Sequence, residues 1–117
     1  MQPYNILVIT TDQEQSFVDL PSNLDLPNRQ YLRERSTAFR KFQVNTTPCG
    51  PSRSVIYTGQ HTQQTGMFSN PNVPPHVYLP KTMPTLGTIF RDLGYHTVYK
   101  GKWHLSEMEN DFHAQRF

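Results

Sequence analysis

A four-residue apolar run, Ile6-Leu7-Val8-Ile9, places the strongest constraint on what this chain can fold into. It is rich in β-branched residues and is bounded by polar Asn5 and by Thr10-Thr11-Asp12. A continuous apolar run without alternation suits a strand buried on both faces, as in a parallel sheet covered by helices. Ligands of open α/β sheets gather at the carboxyl ends of the strands. Asp12 and Gln13 therefore stand where polar function is expected.

The rest of the chain fits the same class. The stretch from Pro21 to Pro27 is loop-like, and Pro27 can open a helix running to about Arg35. Phe39, Phe42 and Val44 suit a short strand or an extended segment. The turn Thr46-Thr47-Pro48-Cys49-Gly50-Pro51 ends in a proline suited to a first helical position, so a helix is expected over Ser52 to Thr58, closed by Gly59. Residues 66–80 hold Pro71, Pro74, Pro75 and Pro80 and are expected to form an irregular surface loop. From Pro84 to Leu93 the residues Leu86, Ile89, Phe90 and Leu93 recur on one helical face, and Gly94 follows as a stop. His96 to Tyr99 is then expected as a second parallel strand. This β-α-β order predicts an α/β fold, with a mostly parallel sheet flanked by helices.

Charge and length narrow the partners. Eleven Lys+Arg face nine Asp+Glu, a net charge of +2. The densest basic cluster is Arg29, Arg33, Arg35, Arg40 and Lys41, interrupted by Glu34, and it reads as a solvated helix face rather than a nucleic-acid surface. Only 35% of the 117 residues are hydrophobic, a lean supply for a core, which leaves room for packing against more protein. No signal peptide is visible and no apolar run is long enough to span a bilayer. A cytoplasmic location is expected, with no membrane partner. The single cysteine excludes an internal disulfide.

Three polar clusters can carry chemistry. Asp12 and Gln13 each offer the oxygen donors that hard cations take, although a turn or helix cap uses the same residues. Cys49 is either a small buried residue or a chemical centre. A helix starting at Pro51 would aim backbone N–H groups and the positive end of its dipole at residue 49, and Arg53 adds a rigid cationic fork. Lys102 and His104 lie two apart, so on a strand they share a side while Trp103 turns towards packing. That pair is either a solvated strand end or a cation and a proton carrier for an anionic substrate.

Cys49-Gly50-Pro51-Ser52-Arg53, followed by an apolar helix start and Thr58-Gly59, resembles the Cys-x-Pro-x-Arg signature of the formylglycine-dependent (type I) sulfatases. Gly94-Tyr95 through Gly101-Lys102-Trp103-His104-Leu105 resembles their second signature. Asn5 to Gln13 resembles their first strand with its metal-binding Asp. The resemblance implies an alkaline-phosphatase-like fold and hydrolysis of a small-molecule sulfate ester. It implies that a maturation enzyme oxidises Cys49 to formylglycine, reading Pro51 and Arg53 as part of its motif. It further implies Asp12, Gln13 and residue 49 as ligands of a divalent cation, usually calcium, with magnesium or manganese as alternatives. Arg53 would hold the formylglycine, Lys102 would contact the sulfate, and His104 would hydrogen-bond the hydrated aldehyde.

Two departures keep alternatives open. Gln13 stands where many sulfatases have a second carboxylate, and relatives including phosphonate monoester hydrolases and certain sulfatases resemble this Asp-Gln form. A phosphonate or phosphate monoester hydrolase of the same superfamily is the alternative enzyme. The family's second metal-ligand pair lies further downstream than Asp111 and His113. The chain is thus expected to be the N-terminal portion of a catalytic domain, completed by a C-terminal portion or a complementary chain. The alternative from another class is a truncated, non-catalytic relative acting as an interaction module.

Overall fold

The computed structural model describes residues 4–15 and 20–106. Asp111 and His113 lie outside the described residues. Contacts divide the chain into two units, residues 1–42 and 43–117.

The first unit holds one helix, α1 (Pro27–Glu34), with Pro27 in its first turn. Its fixed φ is prepared for that place and its missing N–H costs nothing there. Along α1 the Gln30 side chain donates to Glu34 at 3.1 Å, and the Arg35 guanidinium lies 3.9 Å over the Tyr31 ring. Arg29 pairs with Glu14, and Arg35 with Glu34 at 3.5 Å. No described residue of α1 is buried. Within the basic cluster, Arg29 and Arg35 thus carry ion pairs along a helix with no buried residue.

The expected strands are not formed. Among the described residues there are helices and no β-strand. Leu7 and Ile9 are 84% and 74% exposed, and Val98 is 77% exposed. An apolar run becomes a strand only when a neighbour pairs its N–H and C=O groups, and no described segment pairs with residues 6–9 or 97–99. Phe39, Phe42 and Val44 are exposed and likewise unpaired.

The second unit contains α2 (Cys49–Thr58), α3 (Thr62–Thr65) and α4 (Leu86–Asp92). Helix α2 is its axis: Gly50, Pro51, Arg53, Ser54, Val55, Tyr57 and Thr58 are all buried, far more than one stripe. It ends where Gly59 turns left-handed at φ 68°, with the Gly59 N–H bonded to the Val55 carbonyl. Two hydroxyls steady its interior. Ser54 Oγ donates to the Pro51 carbonyl at 2.7 Å and lies 3.1 Å from Thr65 Oγ1 of α3. Helix α4 opens on a capping box, with Thr85 and Thr88 each accepting from the other's backbone N–H. It is shorter than the expected Pro84 to Leu93, and the face expected to be apolar is largely exposed: Leu86 is 36%, Ile89 44% and Leu93, just past the helix, 68% exposed.

Tyr57, Met67, Leu79, Trp103 and Leu105 make the core, with Val77, Met83 and Tyr99 packed against it. Met67 and Leu79 come from the segment expected to be a surface loop. That segment has no regular structure, but it is pinned into the core near both ends.

Candidate functional site

Helix α2 begins at Cys49 with Pro48 as its cap, so Pro51 occupies the third helical position and not the first. The helix therefore starts ahead of its expected boundary at Ser52, and Cys49 sits within its first turn, partly exposed. An α-helix leaves its first four N–H groups without internal partners. Here Pro48 and Pro51 have no N–H to offer, and the Gly50 N–H donates to Asn70 Oδ1 at 2.8 Å. Of the four, only the Cys49 N–H is left for an anion. The expected cradle of several amides at residue 49 is thus reduced by two prolines and one asparagine.

Arg53 lies one turn further on and is 9% exposed. Its guanidinium donates to Tyr57 Oη at 3.0 Å and to the Lys102 carbonyl at 2.5 Å. The Tyr99 hydroxyl donates to the same Lys102 carbonyl. The two tyrosine hydroxyls lie 3.0 Å apart, within hydrogen-bond distance. The result is a closed ring of Arg53, Tyr57, Tyr99 and the Lys102 carbonyl.

Aromatic packing holds the same residues. The Tyr57 and Trp103 rings stack at 5.5 Å and 5°, and Tyr99 meets both edge-on at 82°. Burial pushes the Tyr99 hydroxyl well above its ordinary pKa, the Tyr57 hydroxyl adds to the rise, and the Arg53 charge opposes it.

The alternation expected around Trp103 holds without a strand. Trp103 and Leu105 are 3% and 0% exposed, while Lys102 is exposed and His104 partly so. His104 has a positive φ of 60°, a bend no regular strand contains. Its carbonyl comes close to α2: a Cβ built on Gly50 would sit 3.3 Å from it and 3.0 Å from Pro71 Cδ. Only glycine lets the first turn of α2 approach residue 104 this closely.

The second unit thus brings together Cys49, Arg53, Lys102 and His104. Asp12 and Gln13 belong to the first unit, Gln13 with φ 54°. Among the described residues no three His, Cys, Asp or Glu side chains gather to hold a metal. Asp12 and Gln13 offer two oxygen donors where Ca²⁺ takes about six to eight. The described residues do not by themselves fit a complete cation site.

Sequence reasoning missed Asn70, Asn72, Tyr57 and Tyr99. Asn72 Oδ1 lies 3.4 Å from His104 Nε2. The available signal was the pair of asparagines flanking Pro71 in a loop otherwise read only for its prolines. The tyrosines carry no motif that separates them from ordinary core residues.

A model of the sulfatase family matches residues 4–116. The chain is 34% identical over 106 residues to the uncharacterized sulfatase YidJ of Escherichia coli, a match covering 89% of this chain and 20% of that protein. It is 34% identical over 105 residues to an ulvan-active sulfatase of Formosa agariphila, covering 86% and 19%. It is 31% identical over 112 residues to an arylsulfatase of Klebsiella aerogenes, covering 86% and 24%. No solved structure matches the chain significantly. The chain spans about a fifth of the length of these relatives. With the Cys49 to Arg53 motif opening a buried helix and the family's match running over nearly every residue, the chain belongs to the sulfatase family.

Proposed function

We propose that this chain carries the nucleophile end of a sulfuric ester hydrolase acting on a small-molecule sulfate ester. The observation that carries the reading is the Arg53 bond to the Lys102 carbonyl, which ties the helix that starts at Cys49 to the segment bearing Lys102 and His104. Two motifs, whose bonded residues Arg53 and Lys102 stand 49 positions apart, thereby share one unit.

Oxidised to formylglycine by a maturation enzyme and hydrated, residue 49 would supply a hydroxyl oxygen that attacks the ester sulfur and displaces the alcohol, which takes up a proton. Loss of the second hydroxyl's proton then re-forms the aldehyde and expels the sulfate. The exposed Lys102 neutralises the sulfate oxygens, and His104 takes or returns a proton at the reacting centre. Arg53, being buried, works by holding the Lys102 main chain in place. Asp12 and Gln13 would supply part of the donor set for the divalent cation of this family, a set the described residues do not complete. The family's α/β sheet is the setting in which residues 6–9 and 97–99 become strands.

The test is co-expression of the chain, completed by its C-terminal portion, with a formylglycine-generating enzyme, followed by peptide mass spectrometry at residue 49 and assays with an aryl sulfate and a phenyl phosphonate. Conversion of Cys49, and sulfate hydrolysis that vanishes in Cys49→Ala, are expected. An unmodified Cys49 under conditions that convert a control sulfatase would defeat the reading. Phosphonate turnover exceeding sulfate turnover would replace it with the monoesterase alternative.

A further inference from the structure

We infer that Asn70-Pro71-Asn72 is a positioning bracket for the site, with Asn70 fixing the first turn of α2 beside Cys49 and Asn72 meeting the His104 ring. The inference rests on the proposed function only for the identity of the group being positioned.

The geometry assigns the Asn70 role without ambiguity. The Gly50 N–H can only donate, so the oxygen end of the Asn70 amide must face it, at 2.8 Å. A helix N-terminus is usually capped by the residue just before it. Here that residue is Pro48, which makes no side-chain cap bond. Asn70, twenty residues away, makes the bond in its place. Pro71 adds a steric stop, because its ring would lie 3.0 Å from a Cβ on Gly50. Asn72 then reaches the other half of the site at His104 Nε2, 3.4 Å away.

The segment is rigid enough to act as a bracket. Met67 before it and Leu79 after it are 0% and 2% exposed. Between them, the Val73 N–H donates to the Asn70 carbonyl at 3.0 Å and the His76 N–H to the Val73 carbonyl at 2.8 Å. The His76 ring closes a third link through Nδ1 to the Pro71 carbonyl at 3.0 Å. Each bond is ordinary. Together they hold three consecutive residues against two separate parts of the site.

The experiment uses the ¹⁵N-labelled chain with Cys49 unmodified, so its outcome is separate from that of the sulfate chemistry. Gly50 N–H exchange should be slower than that of Cys49. Asn70→Leu, similar in volume but lacking the acceptor, should speed Gly50 exchange about fivefold, the usual worth of a cap. Asn70→Asp, which keeps an acceptor, should stay near the unsubstituted rate. Iodoacetamide at about pH 10, above the usual thiol pKa of about 8.5, reads exposure of Cys49 and should react faster only in Asn70→Leu. Asn72→Ala should move the His104 ring ¹⁵N signals and leave Gly50 exchange unchanged. In matured protein completed by its C-terminal portion, Asn70→Leu should lower kcat counted per folded enzyme, with KM unchanged, so that unfolded protein does not enter the comparison. Gly50 exchanging as fast as Cys49 in the unsubstituted chain would overturn the inference even if Asn70→Leu fails to fold. So would Gly50 exchange and Cys49 alkylation unchanged in a folded Asn70→Leu.

Discussion

The Arg53 guanidinium and the Lys102 carbonyl, 49 positions apart, share a 2.5 Å hydrogen bond inside the second unit. A charged fork on a buried helix thus anchors the main chain of a residue whose side chain stays exposed. Structure and chemistry are divided between the two ends of residue 102.

Removing the fork tests the anchor. Arg53→Met should cost about 2 kcal/mol, because it deletes charge-assisted bonds to the Lys102 carbonyl and leaves the buried Tyr57 hydroxyl under-supplied. Arg53→Lys should recover less than half of this, since one ammonium cannot span Tyr57 Oη and the Lys102 carbonyl as a planar guanidinium does. Urea unfolding monitored by Trp103 fluorescence is the measurement. Equal stability of Arg53→Met and the unsubstituted chain would contradict the role.

Gly50→Ala should destabilise the second unit by about 1–3 kcal/mol, the usual cost of overpacking. Alanine gains about 1 kcal/mol over glycine inside a helix. Its methyl, however, meets the buried Pro71 ring and the His104 backbone oxygen, neither of which is a flexible side-chain end. A melting temperature at or above that of the unsubstituted chain would show that the neighbours can give way.

Neighbouring residues 102 and 103 should separate function from stability. Lys102→Ala should change stability by less than about 0.5 kcal/mol, because the carbonyl that Arg53 holds is unaffected by the side chain. In matured enzyme completed by its C-terminal portion, sulfate ester turnover should nevertheless fall at least about 100-fold. Trp103→Ala should cost about 3–5 kcal/mol through loss of a buried ring stacked on Tyr57. Parallel melts and aryl sulfate assays decide it, and a large stability loss in Lys102→Ala would refute the division.

Tyr99 predicts an alkaline limit. Its folded pKa lies above the ordinary 10.0, first because of burial and then because of Tyr57. The folded state therefore holds this proton more tightly than the unfolded state does. The stabilisation is complete below about pH 10 and is lost as pH rises towards the folded value. Tyr99→Phe should flatten the fall in melting temperature above that pH. An identical alkaline profile in both proteins would remove Tyr99 as the cause.

Much of this protein was legible in its sequence where local physics decides. Pro27 fixed the start of α1 and Gly59 the end of α2, because a locked φ and a left-handed φ are properties of single residues. The alternation of Lys102, Trp103, His104 and Leu105 survived because apolar rings and aliphatic chains leave water whatever the backbone pairing. The resemblance of three segments in order, Asn5 to Gln13, Cys49 to Arg53 and Gly94 to Leu105, pointed to the family and to the residue proposed as nucleophile.

The remainder belongs to tertiary structure. Ile6 to Ile9 is a strand by composition, but strand formation depends on a partner's hydrogen bonds, and no described segment supplies them. The Arg53–Tyr57–Tyr99–Lys102 ring joins residues that no local rule connects. Asn70 is an ordinary loop residue until the chain folds back and sets its oxygen 2.8 Å from the Gly50 N–H. Motif residues can be read from sequence because their own chemistry is specific; their supports cannot, because an asparagine or a tyrosine acquires its role only from what the fold places beside it.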